Sequence, residues 1–297
     1  MAEEHPAAGR LERLVESGKA IVPPLTLLTA LLFYFGYVSA RARYEYFGVD
    51  VDTIGLGTQD YIMRSPQPLL TPLLVFAAVG AGSIAVHAAV RRRIHPAAPA
   101  RTVVRLRRLG RGGQVAGLAG LAGGLLLLLG YTVLRGWQLY GLVTPLLLAA
   151  GAALLRAGSA VRRLLLPPDD ATPSRRTSTA LAYFVVAVSA FWMTATVAQW
   201  SGRGLAMYDA SRLDKLPSVI LDTKESLFLH SPGVQETKLP ASDGQTFHYR
   251  YRHLRLLIHG KDRMFLVADR WSASSSTIIV PLDGSVRVQF QFQNQRP

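Results

Sequence analysis

The feature that most constrains this chain is a basic stretch, residues 91–111, which lies between two long apolar runs. It contains eight arginines and no acidic residue. An arginine at the centre of a bilayer is costly, and short loops rich in Lys and Arg stay on the cytoplasmic side of a membrane. The stretch therefore predicts a cytoplasmic connection between two membrane-spanning helices, and it sets the direction in which the other segments cross.

Composition favours a membrane protein over a nucleic-acid-binding one. The 297 residues are 49% hydrophobic and carry a net charge of +14. The arginines crowd beside apolar runs, where positive-inside sorting and acidic headgroups account for them. Membrane lipids are therefore the expected partners, and nucleic acid is not. Because the sequence has no cysteine, disulfides, thiolate metal sites and cysteine nucleophiles are excluded.

Five apolar runs are long enough to cross about 30 Å of hydrocarbon. They lie within a transmembrane domain that we predict for residues 20–200. The predicted spans are, approximately, residues 21–40, 69–90, 115–134, 139–158 and 179–200.

The segments between the spans differ in charge. A tail, 1–19, and two basic loops, 91–114 and 159–178, hold most of the Lys and Arg of these connections. Loop 41–68 is balanced in charge and rich in aromatic residues. This asymmetry predicts a multi-pass protein of the bacterial inner (cell) membrane with a cytoplasmic N-terminus and an external loop 41–68.

The number of spans decides the side on which the last domain, residues 201–297, lies. Five is an odd number, so this domain is predicted to be extracytoplasmic. If residues 115–160 formed one span or a re-entrant hairpin instead, the domain would be cytoplasmic.

From Leu216 onward the hydrophobic period changes to two, which is typical of strands. The turn signal Asp283-Gly284 predicts a two-residue hairpin between the last two strands. The fold class is therefore an α-helical multi-pass membrane protein with five transmembrane helices and a small C-terminal antiparallel β domain, a barrel or a sandwich. The predicted strands are 218–222, 227–230, 247–252, 255–259, 264–268, 277–281 and 286–292.

Three aromatic and three basic residues alternate along the predicted strand 247–252. Successive residues of a strand point to opposite faces, so Phe247, Tyr249 and Tyr251 are expected on a core face. The basic face is interpreted as a solvated surface or, alternatively, as an anion-binding face for lipid phosphates or an acidic cell-wall polymer. It consists of His248, Arg250 and Arg252.

Six arginines beside the second and third spans are predicted to contact lipid headgroups. The later three belong to a group whose spacings of three and four residues would align them along a short basic helix. The six are Arg91, Arg92, Arg93, Arg105, Arg107 and Arg108.

Glycines recur near and within the third span. The pairs Gly113/Gly117 and Gly120/Gly124 are small-xxx-small patterns, which let the backbone of a neighbouring helix approach closely. We predict close helix packing with the fourth span. A hinge for a gate is the alternative.

The sequence predicts no catalytic, cofactor-binding or metal-binding residue. A proton-coupled transporter usually needs a carboxylate or a histidine facing an intramembrane cavity, and the spans contain no Asp or Glu. The one ionisable residue well inside a span is His87, for which interfacial packing or a headgroup contact is favoured over a proton relay. In loop 41–68 the spacing of Asp50, Asp52 and Asp60 does not fit a calcium loop, so helix caps and turns are favoured. The histidines of the β domain show no ligand-pair spacing.

Two regions carry a resemblance. Residues 46–50 and 58–65 resemble a loop found in uncharacterised multi-pass membrane proteins of actinobacteria. Residues 249–257, residues 265–267 and Trp271 are similar to the C-terminal part of the same proteins. The resemblance implies an actinobacterial source and a single evolutionary unit, and it names no catalytic residue.

These patterns favour a non-enzymatic membrane protein that presents its β domain outside the cell as a sensor, receptor or accessory subunit. A protein partner or a homo-oligomer is compatible with this hypothesis. One alternative is an oligomeric channel or uniporter. Another is a membrane enzyme acting on lipid or cell-wall precursors, which would place Asp50, Asp52 or Asp60 near His or Arg side chains of the β domain.

Overall fold

The computed structural model describes residues 6–93, 100–164, 173–229, 231–242, 244–272 and 274–291. Within these ranges the chain is mostly helical, with a short 3₁₀ turn, Leu213–Lys215, before an antiparallel sheet. The α-helices are α1 Pro6–Glu45, α2 Val51–Ile54, α3 Thr58–Arg64, α4 Pro66–Arg93, α5 Ala100–Leu129, α6 Tyr131–Leu134, α7 Tyr140–Leu164 and α8 Pro173–Ser211.

Five of the described helices are long and apolar enough to cross a membrane. The mean hydropathy of their most apolar windows ranges from 1.4 to 2.1, and such lengths match the hydrocarbon core of a bilayer. The candidate spans are Leu25–Glu45, Pro66–Arg92, Val104–Leu129, Tyr140–Arg162 and Arg176–Ser211.

The sheet is antiparallel and is not closed. Its strand order is β5-β4-β3-β1-β6, and β2 lies beside β3 off this path. Because β1 pairs with one edge of β3, β2 and β4 share the other edge, β2 near its start and β4 near its end. The strands are β1 Ser218–Thr223, β2 Gln235–Lys238, β3 Tyr249–His259, β4 Arg263–Ala268, β5 Ile278–Pro281 and β6 Val286–Gln291.

The observed strands correct several predictions. Residues 227–229 form no strand, and residues 235–238, which were not among the predicted strands, form β2. Asp283-Gly284 does not join neighbouring strands, since β5 and β6 lie at opposite ends of the strand order. The predicted barrel or sandwich is replaced by a single open sheet, because each terminal strand pairs on one side only among the described residues.

Strand β3 combines two predicted strands that a bulge separates. His253 has a φ of +64°, a left-handed conformation that is uncommon for a residue other than glycine. At this point the register of β3 with β1 shifts between Val219 and Leu221. The extra residue explains why the polar pair Arg252 and His253 interrupts the alternation of the sequence without ending the strand.

Contacts divide the protein into two compact units. The first contains the described residues up to Pro68 and from Ala198 onward, and the second contains those from Leu69 to Val197.

In the first unit, the sheet buries apolar side chains on both faces. Phe265 and Val267 of β4 point to one face, and Met264 and Leu266 point to the other. The face with Phe265 packs against residues from α1, α2, α3 and the connections between them. The contacting side chains are Ala40, Tyr44, Phe47, Val49, Val51, Ile54 and Tyr61.

In the second unit, α5 and α7 form a tightly packed pair. Their connection includes α6, and the hydroxyl of Tyr140 donates a hydrogen bond to the carbonyl oxygen of Leu127 at 3.1 Å. Helix α8 contacts α7 through Thr196, whose hydroxyl donates to the carbonyl oxygen of Gly141 at 2.9 Å.

Candidate functional site

A buried carboxylate and two arginines form a row across three strands of the sheet. Asp222 of β1 lies opposite Arg250 of β3 and opposite Arg287 of β6. Arg250 donates from Nε to Oδ1 at 2.8 Å and from Nη2 to Oδ2 at 3.0 Å. Arg287 donates from Nε and Nη2 to Oδ2 at 3.0 and 2.6 Å. The side chain of Asp222 is 0% exposed, so the arginines replace its hydration.

The two arginines keep Asp222 ionised. Burial by itself raises the pKa of this carboxyl, but hydrogen bonds and charges from Arg250 and Arg287 outweigh burial and lower the pKa below its ordinary value. The row therefore carries one negative and two positive charges. It leaves one net positive charge on this part of the sheet.

The predicted anion-binding residues have different environments. Arg250 is occupied by Asp222, whereas Arg252 is exposed and lies opposite Gln235 of β2. His248 is exposed just before β3, and its Nδ1 lies 3.2 Å from the carbonyl oxygen of Lys224. The structure thus leaves His248 and Arg252 accessible and makes Arg250 part of an internal ion pair.

Further cations lie near this row, although Lys238, opposite Tyr249, lies on the other face of the sheet from Arg250. Lys224, Lys238 and His248 line an open cavity of about 430 Å³. A second open cavity, of about 350 Å³, is lined in part by Phe247 and Arg287. Phe247 lies before β3 and therefore outside the strand in which it was predicted. Its ring centroid is 5.1 Å from the guanidinium carbon of Arg287. We call the basic residues at and around the row the basic patch: Lys224, Lys238, His248, Arg250, Arg252 and Arg287.

A hydrogen-bond network fixes the segment after β1 against the sheet. The hydroxyl of Tyr251 accepts from the backbone N–H of Leu227 at 2.7 Å and donates to Oε2 of Glu236 at 3.0 Å. Ser226 donates to the same carboxylate at 3.0 Å. Burial raises the pKa of Tyr251, so it remains a neutral phenol. The segment that carries Lys224 is thereby held beside β3.

Sequence reasoning missed Asp222 and Arg287. Both were predicted only as strand residues, because a single acid in an apolar strand has no pattern that names its partner. A usable signal was present in Ser218–Thr223, where Asp222 is the one charged residue of an otherwise buried strand. Its pairing with residues 28 and 65 positions away depends on strand order.

The connection after α1 is part of the same folded body as the sheet. The hydroxyl of Thr277 donates to the carbonyl oxygen of Phe47 at 2.7 Å. The backbone N–H of Lys261 donates to the carbonyl oxygen of Ile54 at 3.3 Å. The ring centroids of Phe47 and Trp271 lie 4.9 Å apart. We call residues 46–61 together with the sheet the loop–sheet module.

Helices α1 and α8 meet where they enter the loop–sheet module. Arg43 Nη2 and Asp209 Oδ2 are 2.7 Å apart, with both side chains less than one quarter exposed. A Cβ atom at Gly202 would overlap the carbonyl oxygen of Ser39. A Cβ atom at Gly36 would overlap the carbonyl oxygen of Tyr61. These close approaches fix the helix ends to the module.

The acidic residues of loop 41–68 have local roles. Asp50 caps α2, with its Oδ1 accepting from the N–H of Asp52 at 3.2 Å. Asp60 accepts from the N–H of Gly57, the N-cap of α3, at 2.8 Å. Asp52 accepts from the hydroxyl of Tyr37 at 3.2 Å. No group of three His, Asp or Glu residues in the described ranges is arranged to hold a metal ion.

The arginines predicted to contact headgroups lie on helices. Arg91 and Arg92 are exposed in the last turn of α4, which ends at Arg93. The side chain of Arg93 lies outside the described residues. The three predicted contacts on α5 are also exposed; they are Arg105, Arg107 and Arg108.

The predicted packing glycines face α7. A Cβ atom at Gly117 would lie 2.7 Å from the backbone N of Leu155, and one at Gly124 would lie 2.7 Å from Cδ2 of Leu148. At Gly120 the nearest atom is Cα of Gly151 at 3.2 Å, and at Gly113 the nearest atom is at 3.6 Å. Helix α7 therefore approaches α5 most closely at Gly117 and Gly124 and least closely at Gly113.

The fold and the site thus define a class: a chain with five long apolar helices that carries an antiparallel sheet with an internally paired basic patch. Comparison with models of protein families, with curated proteins and with solved structures finds no match to this chain.

Proposed function

We propose that this chain is a non-enzymatic integral protein of the bacterial inner membrane that holds the loop–sheet module on the extracytoplasmic side. It acts there as a sensor, receptor or accessory subunit. The observation that carries the proposal is the core shared by residues 46–61 and the sheet. A module that two apolar helices hold firmly is suited to presenting a binding surface.

The shared core supports the proposed topology. Residues 46–61 follow the first candidate span and the sheet follows the fifth, so their common core requires both to lie on one side of a membrane. Four crossings between them satisfy this requirement, and α4, α5, α7 and α8 supply four. The arginine clusters near the ends of these helices belong on the opposite, cytoplasmic side.

The exposed apolar surface of the helices supports membrane insertion. Only 11 to 28% of the residues in each candidate span are buried within the protein. Leucine and valine side chains cover much of the remainder, and contiguous apolar surface of this extent needs a non-aqueous environment.

A non-enzymatic role fits the positions of the acidic groups. A hydrolytic or transferase site needs a nucleophile or base aimed at a common point. The carboxylates of Asp50, Asp52 and Asp60 instead serve helix caps or bond to Tyr37. Asp222 is fully occupied by two arginines.

Cysteine labelling tests the topology, since no native cysteine interferes. Cysteine is introduced at Gln59, at Ser274 and at Arg108, three exposed positions. An impermeant thiol reagent applied to intact cells should label Q59C and S274C but not R108C. All three should react in opened cells. Labelling of R108C alone, or of only one of the other two, overturns the proposal.

Site-specific cross-linking tests the receptor or accessory role. We place a photo-reactive amino acid at Gln235, which lies opposite Arg252 on β2, and as a control at Ile279 on β5. A partner with an acidic surface should give a discrete adduct from Gln235 that weakens in an R252Q background. Equal adducts from both positions, or ion flux through liposomes containing the purified protein, would contradict the proposal.

A further inference from the structure

A cavity between helices of the second unit combines an apolar lining with one partly buried cation. Its volume is about 320 Å³, and it is lined by residues of α5, α7 and α8. Leu121, Leu155 and Val185 are among the apolar residues, and Arg156 lies beside Ser178 and Thr179 at the polar part of the lining. An apolar cavity with a guanidinium in its lining suits an amphipathic molecule with a negative head.

Arg156 has an unused donor inside this region. Its Nε atom is buried and has no hydrogen-bond acceptor among the described residues. The guanidinium carbon lies 5.6 Å from the ring centroid of Tyr183, a contact that positions the group without accepting the Nε–H. A buried charged donor without an acceptor is unfavourable, so within the described part of the chain this N–H is left for an added acceptor.

No carboxylate is available on the surrounding helices to pair with Arg156. Helices α5 and α7 contain no Asp or Glu, and residues 178–185 of α8 contain none either. The nearby Arg162 donates to the neutral Oε1 of Gln114 at 2.9 Å. Gln114 in turn donates to Ser159 at 3.3 Å. The positive charge of this helix end is therefore not neutralised by these helices.

We propose that this cavity binds the phosphate of an anionic phospholipid, with Arg156 donating to a phosphate oxygen and an acyl chain lying against the apolar lining. A guanidinium matches phosphate geometry and is less strongly hydrated than an ammonium group. Arg156 lies near the end of the candidate span Tyr140–Arg162, where lipid phosphates are found if the helix spans a bilayer. This inference rests on the membrane insertion proposed above and is independent of the partner of the loop–sheet module.

Native mass spectrometry of the full chain tests the inference. The purified protein is reconstituted with equal amounts of phosphatidylglycerol and phosphatidylcholine, released, and scored for bound lipid. The wild type should retain phosphatidylglycerol preferentially, and R156Q should lower that preference about tenfold, as loss of one charged hydrogen bond predicts. R135Q, which removes the same charge from an exposed position outside the cavity, should leave it unchanged.

Three additional measurements separate the alternatives. R156K keeps the charge and should retain an intermediate preference for phosphatidylglycerol. If R156Q aggregates, the lipid preference of R156K is compared with that of the wild type instead. Addition of 10 mM inorganic phosphate, roughly ten-thousandfold above a micromolar affinity, should not displace the lipid. Complete displacement identifies free phosphate as the ligand and overturns the lipid assignment. Equal retention of both lipids, or equal losses in R156Q and R135Q, also overturns it. Failure to float with vesicles would instead reject membrane insertion, and with it both proposals.

Discussion

Asp222 and Arg250 face each other across β1 and β3 and are joined by two hydrogen bonds, at 2.8 and 3.0 Å. This pair lies at the centre of the basic patch, yet it faces inward rather than toward a ligand. A bidentate arginine with a fully buried carboxylate stabilises the sheet only while both partners are present. The cationic side chains that remain exposed around the pair include Arg252 and His248.

The first prediction concerns removal of the buried charge. D222N should lower the local stability of β1 by about 2 kcal/mol, since both arginines lose their charged acceptor. Amide hydrogen exchange of the β1 peptide should then increase by about thirtyfold. D262N is the matched control, because Asp262 is an exposed acid that pairs with the adjacent Arg263. Unchanged exchange in D222N would show that the row contributes little.

The second prediction is a pH dependence. The pKa of Asp222 lies below its ordinary value in the folded protein, because the two arginines outweigh the opposing effect of burial. Its contribution to stability is therefore complete above the ordinary carboxyl pKa and is lost as pH falls below about 4. The gap between the thermal midpoints of wild type and D222N should be constant from pH 7 to 5 and should shrink toward pH 3. If the difference in thermal midpoint widens on acidification, the dependence has the opposite sign and the lowered pKa of Asp222 is refuted.

The third prediction concerns the contact between α5 and α7. At Gly117 and Gly151 an added Cβ would lie 2.7 Å from a backbone nitrogen of the other helix, so G117A or G151A should destabilise the pair by about 1 to 3 kcal/mol. Unfolding by SDS in mixed micelles measures the change. At Gly112, also on α5, no heavy atom lies within 4 Å of the added Cβ, and G112A should be neutral.

The fourth prediction tests the loop–sheet module. Phe47 is 1% exposed and packs against Trp271, so F47A should cost about 3 kcal/mol. Because the core is shared, hydrogen exchange should rise together in α3 and in β4. M63A truncates a side chain that is 76% exposed in α3 and should change neither. Faster exchange in α3 alone would mean that the two parts do not fold as one module.

Local periodicity was enough to predict the long helices and most of the strands. Runs of twenty apolar residues have few alternatives to a helix. The same reasoning failed at β2, whose sequence is polar on both faces and becomes a strand only because β3 offers an edge to pair with. It also failed at Asp283-Gly284, since turn chemistry cannot say which strands are neighbours.

The apolar helices, the charge asymmetry between their ends and the presence of a β region could therefore be predicted from the sequence alone, because these features depend on residues near one another in the chain. The tertiary structure set which distant residues and segments are neighbours. It paired Asp222 with Arg250 and Arg287, packed residues 46–61 into the core of the sheet, and left Nε of Arg156 in a cavity without an acceptor among the described residues. The physical reason is that burial, pairing and close packing are properties of contacts between segments far apart in sequence, and these contacts exist only once the chain has folded.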